Sequence, residues 1–181
     1  RVPLMIAGPG IAAGRHDAPV SNLDVTPTVT ALAGISIDEI MPWTDGESLV
    51  PVINGTERIA PVLMEYAAEG SYAPLVGIRE GKWKYVHCAL DPDQLYDLDA
   101  DPLELNNLAT VAAHAPTLRA FQAMRDSRWD MDAFDSAVRE SQARRWVVYE
   151  ALRNGAYFPW DHQPLQKASE RYMRNHMNLD N

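Results

Sequence analysis

Residues 2–7 (Val2-Pro3-Leu4-Met5-Ile6-Ala7) form a near-continuous apolar run, stopped by Gly8-Pro9-Gly10. A run without polar alternation suits a strand buried on both faces, as in a covered parallel sheet. Such a strand needs neighbours on either side. The other strand-like segments of the chain read as hairpin-linked and antiparallel, so residues 2–7 either pair with another molecule or belong to a sheet lying mostly upstream of residue 1. The second reading is adopted here. The chain is expected to be the C-terminal part of a longer α/β protein.

A helix is predicted over residues 21–34. Ser21 and Asp24 fit a capping box, Val25, Val29 and Leu32 repeat at helical spacing, and Gly34 suits the position just past the end. Pro27 inside this pattern implies a kink or a later start. Residues 35–46 read as an irregular connection, and 47–53 as a short helix with Leu49, Val52 and Ile53 on one face. Strands are predicted over 60–66, 74–79, 82–88 and 94–98. Glu80-Gly81 makes a tight turn between the middle two. An acidic, proline-containing loop follows over 99–107. From Thr110 the pattern is helical, with helices over 117–124 and 136–154, the latter closed by Gly155. Residues 157–161 (Tyr157-Phe158-Pro159-Trp160-Asp161) read as extended because Pro159 and Pro164 forbid a helix across them. A last amphipathic helix is expected over 164–177.

Charge and composition exclude several functions. The net charge is −9, and hydrophobic residues make up 46% of the 181. Residues 1–110 hold 6 Lys/Arg against 16 Asp/Glu, and residues 111–181 hold 10 against 9, so no basic face is available and nucleic acid is not an expected partner. No apolar run approaches the roughly 20 residues of a bilayer span, so no membrane partner is expected. A single cysteine, Cys88, rules out an internal disulfide or a multi-thiolate zinc site.

No complete active site is legible. His87 precedes Cys88 in a strand, points to the opposite face and cannot activate it, so Cys88 reads as structural. There is no Gly-x-Ser-x-Gly elbow, and Gly8-Pro9-Gly10 lacks the glycines of a dinucleotide loop. No two of the five histidines share an i, i+4 helix face. Asp97, Asp99 and Asp101 alternate like a calcium loop, but Pro102 and Leu108 stand where the glycine and closing glutamate belong, so a solvated acidic turn is expected. Tyr157, Phe158 and Trp160 beside Asp161 have two readings. They could supply ring faces and a counter-charge to a quaternary ammonium group, or they could bury the tail against the body.

Several motifs resemble the sulfatase branch of the alkaline-phosphatase-like superfamily. They are Arg1-Val2-Pro3-Leu4, Pro9-Gly10, the run from Val20-Ser21-Asn22-Leu23-Asp24 to Pro27-Thr28, Leu32-Ala33-Gly34 and Gly46-Glu47-Ser48-Leu49. The hairpin at Gly81-Lys82-Trp83-Lys84-Tyr85, then Gln94-Leu95-Tyr96-Asp97-Leu98, Asp101-Pro102-Leu103-Glu104 and Asn107-Leu108 continue the series. The tail, Tyr157-Phe158-Pro159-Trp160-Asp161, Gln163-Pro164-Leu165 and residues 168–177, resembles the C-terminal extension of choline sulfatases, an ending that ordinary sulfatases lack.

The resemblance implies an α/β fold fragment: the last strand and helix of the main sheet, a small antiparallel sheet with helices, and an extended helical tail. The corresponding divisions are 1–58 for the end of the main domain, 59–155 for the small α+β subdomain and 156–181 for the extension. It implies hydrolysis of choline O-sulfate in the bacterial cytoplasm by a formylglycine nucleophile and a divalent cation, Ca2+ or Mn2+. Both would be held by the N-terminal part, so this chain binds no cofactor and is inactive alone. Cys88 does not match the family's Cys/Ser-x-Pro-x-Arg motif, and no catalytic or metal-binding residue can be assigned here. The implied partners are the N-terminal part of the same sulfatase, a small-molecule substrate and further copies of the chain joined through the tail. Asp180 is a substrate-binding candidate, reaching the choline cation in a neighbouring subunit, set against its reading as a frayed terminal acid. Two rivals are a sulfatase or phosphonate-ester hydrolase with another substrate, and a non-catalytic oligomerisation or binding module.

Overall fold

A computed structural model of the chain describes residues 3–68 and 70–155. It divides into two compact units, Arg1–Ser136 and Ala137–Asn181. The first opens without regular structure. Residues 3–7 form no strand, and Leu4 and Met5 are exposed. The strand expected over 2–7 is tied to a sheet upstream of residue 1; among the described residues no strand pairs with 3–7, and an isolated extended segment gains no ladder hydrogen bonds.

The helix expected from Ser21 begins as a 3-10 turn, Asn22–Asp24, and becomes helix α1 at Val25–Leu32. Pro27 therefore falls in the first turn of α1, where its missing N–H costs no intrahelical bond. Ser21 Oγ accepts from Leu23 N, and Asp24 Oδ2 accepts from Ser21 N at 2.7 Å, which completes the capping box. Gly34, with φ of 76°, follows the C-cap in the left-handed region that glycine enters without strain. The connection over 35–46 is not wholly irregular, because Ile37–Ile40 form one helical turn, α2. Its Asp38 and Glu39 favour the positive end of that turn. Val50–Ile53 form α3, with Leu49 and Val52 buried as the shared face required.

Four antiparallel strands then meander in chain order: β1 Val62–Tyr66, β2 Leu75–Glu80, β3 Trp83–Cys88 and β4 Asp91–Asp97. Glu80 pairs with Trp83 across Gly81 and Lys82, and Gly81 has φ of 52°. Strand β4 starts three residues earlier than the pattern indicated. As the last strand it tolerates Pro92, whose ring removes a ladder donor. The register slips between Val86 and Cys88 against β4.

Helix α4, Ala115–Arg128, is longer than the predicted 117–124 and lays Phe121 onto one face of the sheet. Ile78, Tyr85, Leu95 and Phe121 make the core, flanked by Leu63, Trp83, Leu118 and Met124. The Tyr85 and Phe121 rings stack with centroids 5.9 Å apart. Helix α5, Met131–Arg153, begins five residues before the predicted start and runs into the second unit. Gly155 is not left-handed; its N–H bonds to the Leu152 carbonyl at 3.1 Å. The expected extended segment 157–161, the helix over 164–177, and Asp180 lie outside the described residues.

Candidate functional site

The alternation of β3 and β4 points Tyr85, His87, Asp93 and Leu95 toward the face that α4 covers, and Gln122 and Arg125, one turn apart, meet them from the helix. The Asp93 carboxylate is the centre. Tyr85 Oη donates to its Oδ2 at 2.9 Å, Gln122 Nε2 to the same oxygen at 2.8 Å, and His87 Nδ1 lies 2.6 Å from Oδ1. Arg125 Nη1 donates to Tyr85 Oη at 3.0 Å, while its Nη2 pairs with Asp126 at 2.6 Å. Arg125 Nη1 also approaches His87 Nδ1 at 3.0 Å, but one ring nitrogen cannot both accept from Arg125 and donate to Asp93. The shorter contact with a carboxylate places the proton on Nδ1, leaving Nε2 as the other ring nitrogen.

Burial alone would raise the Asp93 carboxyl. The hydrogen bonds from His87, Gln122 and Tyr85 outweigh it and hold the group below its ordinary value. Burial, then the Asp93 acceptor, push the Tyr85 hydroxyl well above its usual value, so it stays a donor at any working pH.

An Asp–His pair of this kind is the orienting half of a general-base dyad. Its other half is missing among the described contacts. Cys88, the adjacent thiol, is buried and turned to the Ala73 carbonyl, with Sγ 4.0 Å from that oxygen. The cluster is therefore a polar brace between sheet and helix, with Cys88 buried beside it. Sequence reading missed Asp93, Gln122 and Arg125 because it treated strands 82–88 and 94–98 separately. The period-2 alignment of Tyr85, His87, Asp93 and Leu95 was the available signal.

The acidic turn is occupied internally. Asp97 Oδ2 accepts from Lys82 Nζ at 2.6 Å, and its Oδ1 accepts from the N–H groups of Asp99 and Ala100. Asp101 Oδ2 accepts from Asn106 N at 2.7 Å. The Lys82 contact first, then those backbone donors, lower the Asp97 carboxyl, as the Asn106 donor does for Asp101. Among the described residues no three His, Cys, Asp or Glu side chains converge as a metal site would require. No described helix is long and apolar enough to cross a membrane.

Comparison with known proteins places these residues in a family. Residues 1–127 match the family model described as N-sulphoglucosamine sulphohydrolase, C-terminal, and residues 136–181 match choline sulfatase enzyme C terminal. The choline-sulfatase of Rhizobium meliloti (strain 1021) is 76% identical over 99% of this chain and 36% of its own length. Arylsulfatase K of Mus musculus is 34% identical over 60% of this chain and 22% of its own. A solved candidate sulfatase from Bacteroides thetaiotaomicron superposes with a TM-score of 0.54 at 31% identity, covering 67% of this chain and 28% of that one. The chain thus spans about a third or less of the proteins it matches, and the small sheet with its helix is the part of the alkaline-phosphatase-like sulfatase fold found near their C-termini. The chain belongs to the sulfatase family, matching its C-terminal region over residues 1–127 and the choline sulfatase C-terminal segment over residues 136–181.

Proposed function

We propose that the whole protein is a bacterial, cytoplasmic choline sulfatase, hydrolysing choline O-sulfate to choline and sulfate, and that this chain is its C-terminal portion. The observation that carries this reading is the 76% identity to a choline-sulfatase along 99% of the chain, tail included. In this reading residues 1–58 complete the main α/β domain, 59–155 form the small subdomain and 156–181 the extension. On the same reading the N-terminal part would hold both a formylglycine, which would supply the nucleophile toward sulfur, and a divalent cation, Ca2+ or Mn2+, which would supply charge stabilisation for the transferring group. The residues described here close the fold and brace it.

The tail is proposed to join copies of the protein. Support comes from the end of α5, just before the tail, where Trp146, Val147, Val148, Tyr149 and Leu152 are exposed together, as an apolar patch at an interaction surface is. The Trp146 and Tyr149 rings lie 5.3 Å apart there. Asp180 is proposed to reach a neighbouring subunit's substrate cation, where Coulomb attraction in a partly dried pocket favours a carboxylate.

The test is sulfate release by the whole protein from choline O-sulfate, compared with carbohydrate sulfates and a phosphonate monoester. Turnover of choline O-sulfate above the others is expected. Preference for another ester, or no turnover by a protein carrying the formylglycine motif, rejects the reading. Asp180→Asn should raise KM for choline O-sulfate and spare an aryl sulfate lacking the ammonium group; equal effects reject the contact. Deleting residues 157–181 should weaken the oligomer, and an unchanged oligomer rejects the tail's role.

A further inference from the structure

Between α3 and β1 the chain runs through residues 54–61 without helix or strand. Thr56 N still bonds back to the Pro51 carbonyl at 2.9 Å. Beyond it Glu57 and Ile59 are exposed, yet the Arg58 side chain between them is only 7% exposed. Its Nη2 lies 3.3 Å from both oxygens of Asp24, a residue 1% exposed, and its Nη1 lies 3.7 Å from Glu47. Asp24 also accepts from Ser21 N at 2.7 Å and Glu47 N at 2.9 Å. Next to it Thr28 Oγ1 accepts from Leu49 N at 2.8 Å. One carboxylate thus gathers the start of α1, the loop at 46–49 and the strap at 54–61.

The contacts of this pair are unequal. The backbone donors sit at ideal distance, whereas the guanidinium stands off at 3.3 Å, and its Nε is buried without an acceptor among the described residues. A buried pair with one partner imperfectly satisfied contributes little net stability but fixes position, because either charge left alone is costly. We propose that Asp24 and Arg58 form a latch holding the strap against α1, and that the strap is released as a local unit while the four-stranded sheet stays folded. The latch decides where β1 leaves the helical segment. Proteins open locally in such units when few buried contacts retain them.

Limited trypsin digestion of the full-length protein tests this, because the Arg58–Ile59 bond is itself a cleavage site. In the native protein that bond should resist cleavage. Asp24→Asn turns one acceptor into a donor facing the guanidinium and leaves the charge uncompensated. The cleavage rate after Arg58 should then rise on the order of 10² to 10³, as it follows the population of the opened strap. Hydrogen exchange of β2 and β3 amides should stay as slow as in the native protein. Arg58→Lys keeps the charge and the cleavage site but loses the fork and Nε, so a smaller rise of about tenfold is expected even if Asp24→Asn does not fold. Unchanged cleavage at residue 58 in both variants would overturn the proposal. So would a rise matched by loss of β2–β3 protection, which would make the pair part of the global core.

Discussion

Replacing Tyr85 with Phe removes a single oxygen from the centre of the small domain and tests whether the Asp93 cluster braces α4. Tyr85 is fully buried, and its ring contact with Phe121 survives the substitution, so packing is held nearly constant. What disappears is one hydrogen bond donated to the Asp93 carboxylate at 2.9 Å and one accepted from the Arg125 guanidinium at 3.0 Å. Bonds to charged partners contribute about 1.5–3 kcal/mol each. Neither partner is orphaned, since Asp93 keeps Gln122 and His87 and Arg125 keeps Asp126, which reduces the combined loss to about 2–4 kcal/mol. Denaturant unfolding of the full-length protein, followed by near-ultraviolet circular dichroism, should show the midpoint falling with the slope unchanged. The penalty should shrink in acid, because a protonated Asp93 is a weaker acceptor. A loss below about 0.5 kcal/mol at neutral pH, the range of a neutral surface change, would refute the idea that this hydroxyl bridges sheet and helix.

The same carboxylate sets an acid limit. With its folded value depressed, Asp93 contributes stability that is complete above the unfolded value of about 3.9 and is lost as pH falls through the lower folded value; a stability–pH curve for Asp93→Asn should therefore lack that limb, and identical acid limbs would contradict it. Gly46→Ala should destabilise by about 3 kcal/mol or more, since a Cβ there would lie 2.0 Å from the Leu23 carbonyl oxygen and neither backbone can yield without parting the 46–49 loop from α1. A melting temperature unchanged by that methyl group would show the close approach to be false. Leu95→Ala, in a fully buried position of β4, should cost about 2–5 kcal/mol by the same unfolding assay, and a cost under 1 kcal/mol would remove it from the core.

The sequence made the hairpin and the capping box legible because both depend on local chemistry. Glu80-Gly81 limits the turn, and Ser21 with Asp24 satisfies donors only a few residues away. Residues 2–7 are a different case, because an apolar run states what would be buried while the strand itself depends on neighbours that the described residues do not supply. Sequence reading underestimated α4 and α5, whose starts rest on Pro116 in a first turn and on the Asp130 carboxylate accepting from Ala133 N rather than on apolar spacing. The brace around Asp93 was invisible from single residues, since it needs three elements to align before its charges meet. Arg58 and Asp24, 34 positions apart, were hidden for the same reason.

The proposed choline O-sulfate activity rests on recognition of a quaternary ammonium group, and a neutral shape-matched substrate isolates that recognition. 3,3-Dimethylbutyl sulfate replaces the trimethylammonium nitrogen of choline O-sulfate with carbon and keeps its size. The charge interacting with ring faces and carboxylates should be worth about 1–3 kcal/mol, so kcat/KM of the full-length protein should favour choline O-sulfate by about ten- to a hundredfold. Equal kcat/KM for the two esters would contradict the assignment of choline O-sulfate as the substrate.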